Sequence, residues 1–272
     1  MAIGAIINLI LFGALLSLLY QFSKNEVMPL SRRVFIGLVG GTVFGFYLQF
    51  VFAGNDAVMA DTLEWTNVVA NSYVGLLRMI IMPLILITMI AAVLKVEEIK
   101  SLGKIGGTVV GLLIFTTVIA ALIGILMATV FSLDAGDLVG GARELARAEA
   151  LEARQGSVAD LSLAELLVSF IPTNIFSDLS GARSMSIIGV VVFGLIFGIA
   201  ALLVSEEDAA HGQRIRDFVD TTQAVIMRLV KIVMSLTPYG VLALMTRVIA
   251  TSDGSAILNL IGFVIASYIA IA

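Results

Sequence analysis

The sequence predicts an all-α, polytopic membrane helical bundle on three observations. The stretch from Ile105 to Leu133 runs 29 residues without a charged side chain, more than the roughly 20 apolar residues a helix needs to cross a bilayer. Four further stretches are similarly apolar: Ala2 to Phe22, Val34 to Ala53, Ser184 to Ser205 and Gly254 to Ala272. Composition agrees, with 60% apolar and only 13% charged residues and a mean hydropathy of +1.08, outside the usual globular mix. The apolar runs are continuous rather than alternating, which favours helices over a β-barrel.

The elements follow in order. The first run begins at Met1, Ala2 and Ile3 with no basic leader and is too long for a signal-peptide core, so it is expected to be a retained first helix over 2–22. Val34 to Ala53 forms the second span. From Trp65 to Leu94 the only charge is Arg78, and Pro83 follows it, predicting one long, tilted and kinked helix. The span at 105–133 comes next.

The outer loop at 134–183 has its own organisation. The segment GARELARAEALEARQG, with Glu144 and Arg147 at i,i+3, predicts a short solvated helix. Ser162 and Glu165 form a capping-box pattern ahead of LLVSF, and Pro172 is expected to close that second short helix. A span at 184–205 follows. Phe218 to Ala250 is expected to be a single span with a mid-segment Pro238, and Gly254 to Ala272 the seventh.

Orientation comes from Lys and Arg, which accumulate in cytoplasmic loops. The loops at 23–33, 95–104 and 205–217, with the start of the sixth helix, hold Lys24, Arg32, Arg33, Lys95, Lys100, Lys104, Arg214, Arg216, Arg228 and Lys231. The segment at 54–64 carries Asp56, Asp61 and Glu64 without a base, and the loop at 134–183 has more acids than bases. The N-terminus is therefore expected outside and the first loop in the cytoplasm.

Residues with catalytic potential are few. The sequence has no cysteine, no phosphate-binding G-x-x-x-x-G-K-[ST] loop and no paired metal-ligand spacing. The one histidine, His211, stands in the polar run SEEDAAHGQRIR and is expected to be solvated. The chain is not expected to be an enzyme, and nothing points to a cofactor or a nucleic-acid partner. Gly37, Gly41 and Gly45 at i, i+4, i+8, with Gly194 and Gly198, provide faces on which helices approach closely. Arg78 is costly within a span and is expected to snorkel or to be paired rather than to touch substrate. Thr116 and Thr117 have two readings: hydroxyls in a helix bond back to the preceding turn, and such oxygens also ligate a cation at the membrane midplane.

Several long segments carry a family resemblance. NSYVGLLRMIIMPLILITMIAAVLKVEEIKSLGKIGG, FTTVIAALIGILMATVF, FIPTNIFSDLSG and MSLTPYGVLALMTRVIA, in that order, resemble the second and third core helices, the outer loop and the fifth core helix of the dicarboxylate/amino acid:cation symporter family, the glutamate-transporter-like fold. The first helix, WTNVVANSYVGLL, AEALEARQGSVADLS and SIIGVVVFGLIFGIAAL are most similar to its bacterial L-cystine uptake permeases. The resemblance covers nearly the whole chain.

The resemblance implies a secondary active transporter in the bacterial inner membrane. Its cargo would be an amino acid, L-cystine foremost and otherwise a dicarboxylate or acidic amino acid, and it would be a homotrimer working by an elevator mechanism. It implies that 1–272 is a single transmembrane domain, the N-terminal scaffold half. The re-entrant hairpins, and with them the substrate site, would follow Ala272. It further implies a cation site at Thr116 and Thr117, although Leu113 stands where sodium-coupled members carry an aromatic, which leaves H+ and Na+ both open as coupling cation. The alternative from a different class is a truncated scaffold that oligomerises without transporting.

Overall fold

A computed structural model describes residues 3–24, 28–96, 99–130, 162–251 and 267–269. Nine named helices order these residues: α1 (Ile3–Lys24), α2 (Leu30–Val51), α3 (Asp56–Leu94), α4 (Ile99–Val130), α5 (Leu163–Ser169), α6 (Ile175–Leu179), α7 (Ser186–Glu207), α8 (Ala209–Ser235) and α9 (Thr237–Thr251). Five of them are long and apolar enough to cross a membrane, and α8 with α9 makes a sixth span if the bent pair is one. The chain is a multi-pass membrane protein. The helix expected at 141–156 and nearly all of the span expected at 254–272 lie outside the described residues.

Two expectations are corrected. The acidic segment at 54–64 is not a loop beyond Asn55: α3 begins at Asp56, with the Asn55 carboxamide oxygen accepting from Val58 N at 3.3 Å. Carboxylates in a first turn suit the positive end of the helix dipole, so Asp56 marks a helix start. The segment at 218–250 is not one helix but two, bent by 46°. Pro238 has no N–H to give to the carbonyl of Met234, and the Thr237 hydroxyl donates to that carbonyl instead at 2.6 Å. The bend therefore leaves Met234 O satisfied.

The chain divides into two compact units, one of Met1–Pro83 with Ala224–Ser252, the other of Leu84–Gln223 with Asp253–Ala272. In the first, α2 and α9 are in close contact along the glycine stripe. A Cβ at Gly37 would run into Pro238 O, one at Gly41 into Leu242 O and within 2.9 Å of Met245 Cβ, and one at Gly45 within 2.7 Å of Ile249 Cβ. With no side chain between them the two backbones approach closely, and dispersion across that seam replaces the hydrophobic drive that lipid does not supply. The Thr246 hydroxyl, fully buried, donates to its own helix at Leu242 O (2.9 Å) and reaches Gly41 O at 3.4 Å.

Around this seam Phe12, Leu19, Phe44, Leu48, Leu63 and Leu242 form the core, with Phe12 and Phe44 rings 5.9 Å apart. Helix α1 is further tied to α3 by a buried hydrogen bond from Asn8 Nδ2 to Thr62 Oγ1 at 3.2 Å. At the bend, Tyr73 of α3 donates to Thr237 Oγ1 at 3.0 Å, and its ring lies on Gly240, where a Cβ would overlap it. In the second unit the same device recurs: Gly194 faces Met89 Cβ at 3.0 Å and Gly198 faces Val93 Cβ at 2.8 Å.

Neighbouring glycines on α2 therefore differ in tolerance. Gly41→Ala should destabilise by about 1–3 kcal/mol, read as a lower detergent melting temperature, whereas Gly40→Ala, whose Cβ meets only Leu242 Cδ1 at 3.7 Å, should leave the melt unchanged. Equal melts for the two variants would show that α2 and α9 do not approach this closely.

Candidate functional site

Thr116 and Thr117 stand together near the middle of α4. Thr116 Oγ1 donates back to the carbonyls of Leu112 at 3.0 Å and Leu113 at 3.1 Å, so its proton is already engaged within the helix. Between Gly106 and Val130 every residue of α4 except Met127 is exposed. The pair can thus offer two hydroxyl oxygens, too few by themselves for a hard cation, which takes about six oxygen ligands. Among the described residues no group of three or more acidic or imidazole side chains could hold a metal.

Arg78 is exposed on α3, and no hydrogen bond or ion pair engages it among the described residues. That fits snorkelling of a long cationic side chain from a tilted helix. His211 is exposed as expected, but it is not simply solvated: Nδ1 lies 2.6 Å from Asp208 Oδ2. Asp208 caps α8, accepting from Ala210 N at 2.8 Å and His211 N at 3.3 Å. Those backbone donors, Ala210 first, and the imidazole hold its carboxyl below the usual carboxylate range.

A dense set of polar contacts lies in the second unit, in the segment that joins α5 to α7. The capping box predicted at its start is present, with Glu165 N donating to Ser162 Oγ at 3.2 Å and Ser162 N to Glu165 Oε2 at 2.8 Å. Helix α5 ends at Ser169, before Pro172. Asn174 caps the next helix, α6, through Phe176 N at 3.0 Å. Gly181, at φ +72, then turns the chain in the left-handed region that glycine enters without strain.

This path brings Arg183 back onto Asp178. The guanidinium binds the carboxylate through two parallel bonds, Nε to Oδ1 and Nη2 to Oδ2, each 2.7 Å, the planar fork geometry that favours arginine here. Arg183 N also donates to Ser186 Oγ at 2.9 Å, and Nη1 approaches Ser169 O at 3.4 Å. Asp178 is fully buried, and the paired guanidinium outweighs that burial to lower its pKa. A Cβ at Gly189 would lie 2.7 Å from Asp178 Oδ2 and 3.0 Å from Arg183 Nη2, so the ion pair rests on bare backbone of α7.

Neither helix α6 nor this pair was foreseen from the sequence. Asn174, an N-cap residue after Pro172, was the available signal for the helix. An i,i+5 Asp–Arg spacing has no helical periodicity and gives no signal for the pair.

Two comparisons bear on what the arrangement serves. The sequence profile described as the sodium:dicarboxylate symporter family matches residues 30–272. The chain belongs to that family. An uncharacterized symporter of Haemophilus influenzae is 45% identical over 268 residues, covering 98% of this chain and 60% of that protein. Proteins named L-cystine uptake protein TcyP are 41% identical over 271 residues in Bacillus licheniformis (100% of this chain, 59% of that protein) and 42% identical over 258 residues in Shouchella clausii (95% and 55%). The chain thus spans 55–60% of the length of these relatives. The family is one of transporters, and the fold class is the glutamate-transporter-like helical one.

The lowered pKa of Asp178 sets the direction of a pH dependence. The bond's contribution is full above the unfolded carboxyl value of 3.8 and is lost as pH falls through the lower folded value. Protection of the 162–186 segment from protease should therefore be flat around neutrality and fail on strong acidification. In Asp178→Asn it should be weak at every pH, as it should in Gly189→Val, whose side chain displaces the pair. Unchanged protection in both variants would remove the ion pair as what holds this segment.

Proposed function

We propose that this chain is the N-terminal scaffold half, a single transmembrane domain, of a cation-coupled symporter that takes up L-cystine. One observation carries the substrate reading: relatives named for L-cystine uptake align with 95–100% of the chain at 41–42% identity. By the same reading the assembly is a homotrimer working by an elevator movement, with its N-terminus outside. By that reading the substrate-binding residues lie C-terminal to Ala272.

Thr116 and Thr117 contribute hydroxyl oxygens to a cation site completed by other elements. An α4 surface exposed along its length leaves room for them. Thr116 keeps its lone pairs for a cation because its proton is already given to Leu112 and Leu113. If the coupling ion is H+ rather than Na+, those hydroxyls serve only their own helix.

Three measurements test this. The transporter that carries this chain, in cells lacking other cystine carriers, should take up labelled cystine saturably and lose uptake when an ionophore collapses the gradient. Saturable uptake of labelled aspartate in place of cystine would move the substrate to a dicarboxylate or acidic amino acid, and no uptake of either would favour a scaffold that only oligomerises. The Thr116→Val, Thr117→Val double variant should need about fivefold more Na+ per lost ligand for half-maximal uptake, from about 1 kcal/mol per contact; unchanged ion dependence would mean that the pair only bonds its own backbone. On the cysteine-free sequence, a cysteine at Ser157 should react with an impermeant thiol reagent from outside and one at Ser101 should not, and the reverse pattern would invert the topology.

A further inference from the structure

Two cavities follow one side of α2, and α1 contributes to the first of them. The larger, about 480 Å³, is lined by Leu11, Ala14, Leu15 and Leu18 of α1 and by Gly40, Val43, Phe44 and Tyr47 of α2. The other, about 410 Å³, lies on the first turns of α2 between Met28 and Ile36 and includes Ser31 and Arg32. Arg32, Ile36, Gly40, Val43 and Tyr47 fall at i, i+4, i+8, i+11 and i+15, so the two cavities follow one stripe of the helix. The upper cavity is a groove because Gly40 leaves its floor open, with only Leu242 Cδ1 within 4 Å of where a Cβ would be.

The two ends of this stripe differ in chemistry. Its far part is apolar apart from the Tyr47 phenol and lies in helices long and apolar enough to cross a membrane. Its near part is also lined mostly by apolar surface, with Arg32, whose exposed guanidinium has no hydrogen bond or ion pair among the described residues, and the hydroxyl of Ser31 at its edge. Lys24, also exposed, ends α1 five residues of chain before α2 begins. From Lys24 to Arg33 the sequence has three bases against one acid. Arg32 to Gly40 is eight residues, about 12 Å along a helix, within a leaflet of roughly 15 Å.

A single molecule matches this order of features: an anionic head at the membrane surface and an acyl chain reaching toward the midplane. We propose that the α1–α2 face binds an anionic phospholipid, its phosphate on Arg32 and Ser31 and one acyl chain in the groove between Leu15, Leu18, Gly40 and Val43. A second copy of the chain fits the apolar groove less well, because it would leave the Arg32 end facing apolar side chains without a counter-charge. The proposal is independent of which substrate the transporter carries.

Trp65 is the single tryptophan of the sequence, which permits a direct test. In a Trp65→Phe background, Leu18→Trp places a fluorophore at the groove, and the protein is reconstituted with brominated phosphatidylglycerol or brominated phosphatidylcholine. Phosphatidylglycerol should quench at about fivefold lower mole fraction, the factor expected for one basic contact at a membrane surface. Arg32→Gln should remove the difference, and Arg214→Gln, an exposed base on α8, should keep it. Equal quenching by the two lipids overturns the proposal, and so does weak quenching by both, which would mean that protein covers the groove. Should Leu18→Trp disturb α1, the native sequence decides: phosphatidylglycerol should raise its melting temperature above that in phosphatidylcholine, and Arg32→Gln should cancel the rise. Equal melts of the native protein in the two lipids overturn the proposal as well.

Discussion

Inside a bilayer no water pairs with an exposed amide, so each peptide group of a spanning segment has to be satisfied by its own helix or by a nearby side chain. That constraint makes the spans helical, and it also governs where they break. At Pro238 the helix cannot continue its ladder, and the bend between α8 and α9 is made at the position where Thr237 covers the Met234 carbonyl. Tyr73 then seats on the same hydroxyl and on Gly240. A break that would expose a carbonyl to lipid is instead a docking point for a third helix.

The second requirement is cohesion without a hydrophobic drive. Lipid tails are as apolar as leucine, so helices gain by contact area and by hydrogen bonds rather than by escaping water. The structure meets this with glycines that bring backbones together, Gly37, Gly41 and Gly45 against α9 and Gly194 and Gly198 against Met89 and Val93. Buried polar contacts such as Asn8 to Thr62 add register to that contact. A stripe of small residues along α2 is thus a structural device, while Gly40, one step off the stripe, is free to shape a surface groove.

The described helices differ in how firmly their own surroundings hold them. The 162–186 segment is held by two helix caps, a left-handed glycine and a bidentate ion pair seated on Gly189. Its order owes little to apolar burial. Helix α4, by contrast, has apolar character in every turn and scarcely any burial of its own, the property of a helix whose partners are lipid or other elements. The hydroxyl pair of Thr116 and Thr117 sits on that open helix.

Much of this was legible in the residues, because spanning a bilayer demands long uncharged runs and those stand out in any sequence. The helical class, most of the spans, the capping box at Ser162 and Glu165 and the close-packing role of the glycine stripe all follow from local spacing and composition. So does family membership, since long segments in a fixed order carry it. What local pattern could not supply was any consequence of atoms meeting from distant parts of the chain. The helical start at Asp56 was hidden because acids read equally as an outer loop and as a first turn. The division of 218–250 into two helices was open because a proline in a span kinks or breaks it depending on what covers the freed carbonyl. The pairing of Asp178 with Arg183 required the turn at Gly181, and the stripe's partner was decided only when α9 packed against α2. Sequence by itself determined the helical class and most of the long apolar spans, because those depend on each residue's own transfer free energy and spacing. Tertiary structure alone decided which helices touch and which polar groups find one another, because those depend on shape complementarity between surfaces far apart in the chain.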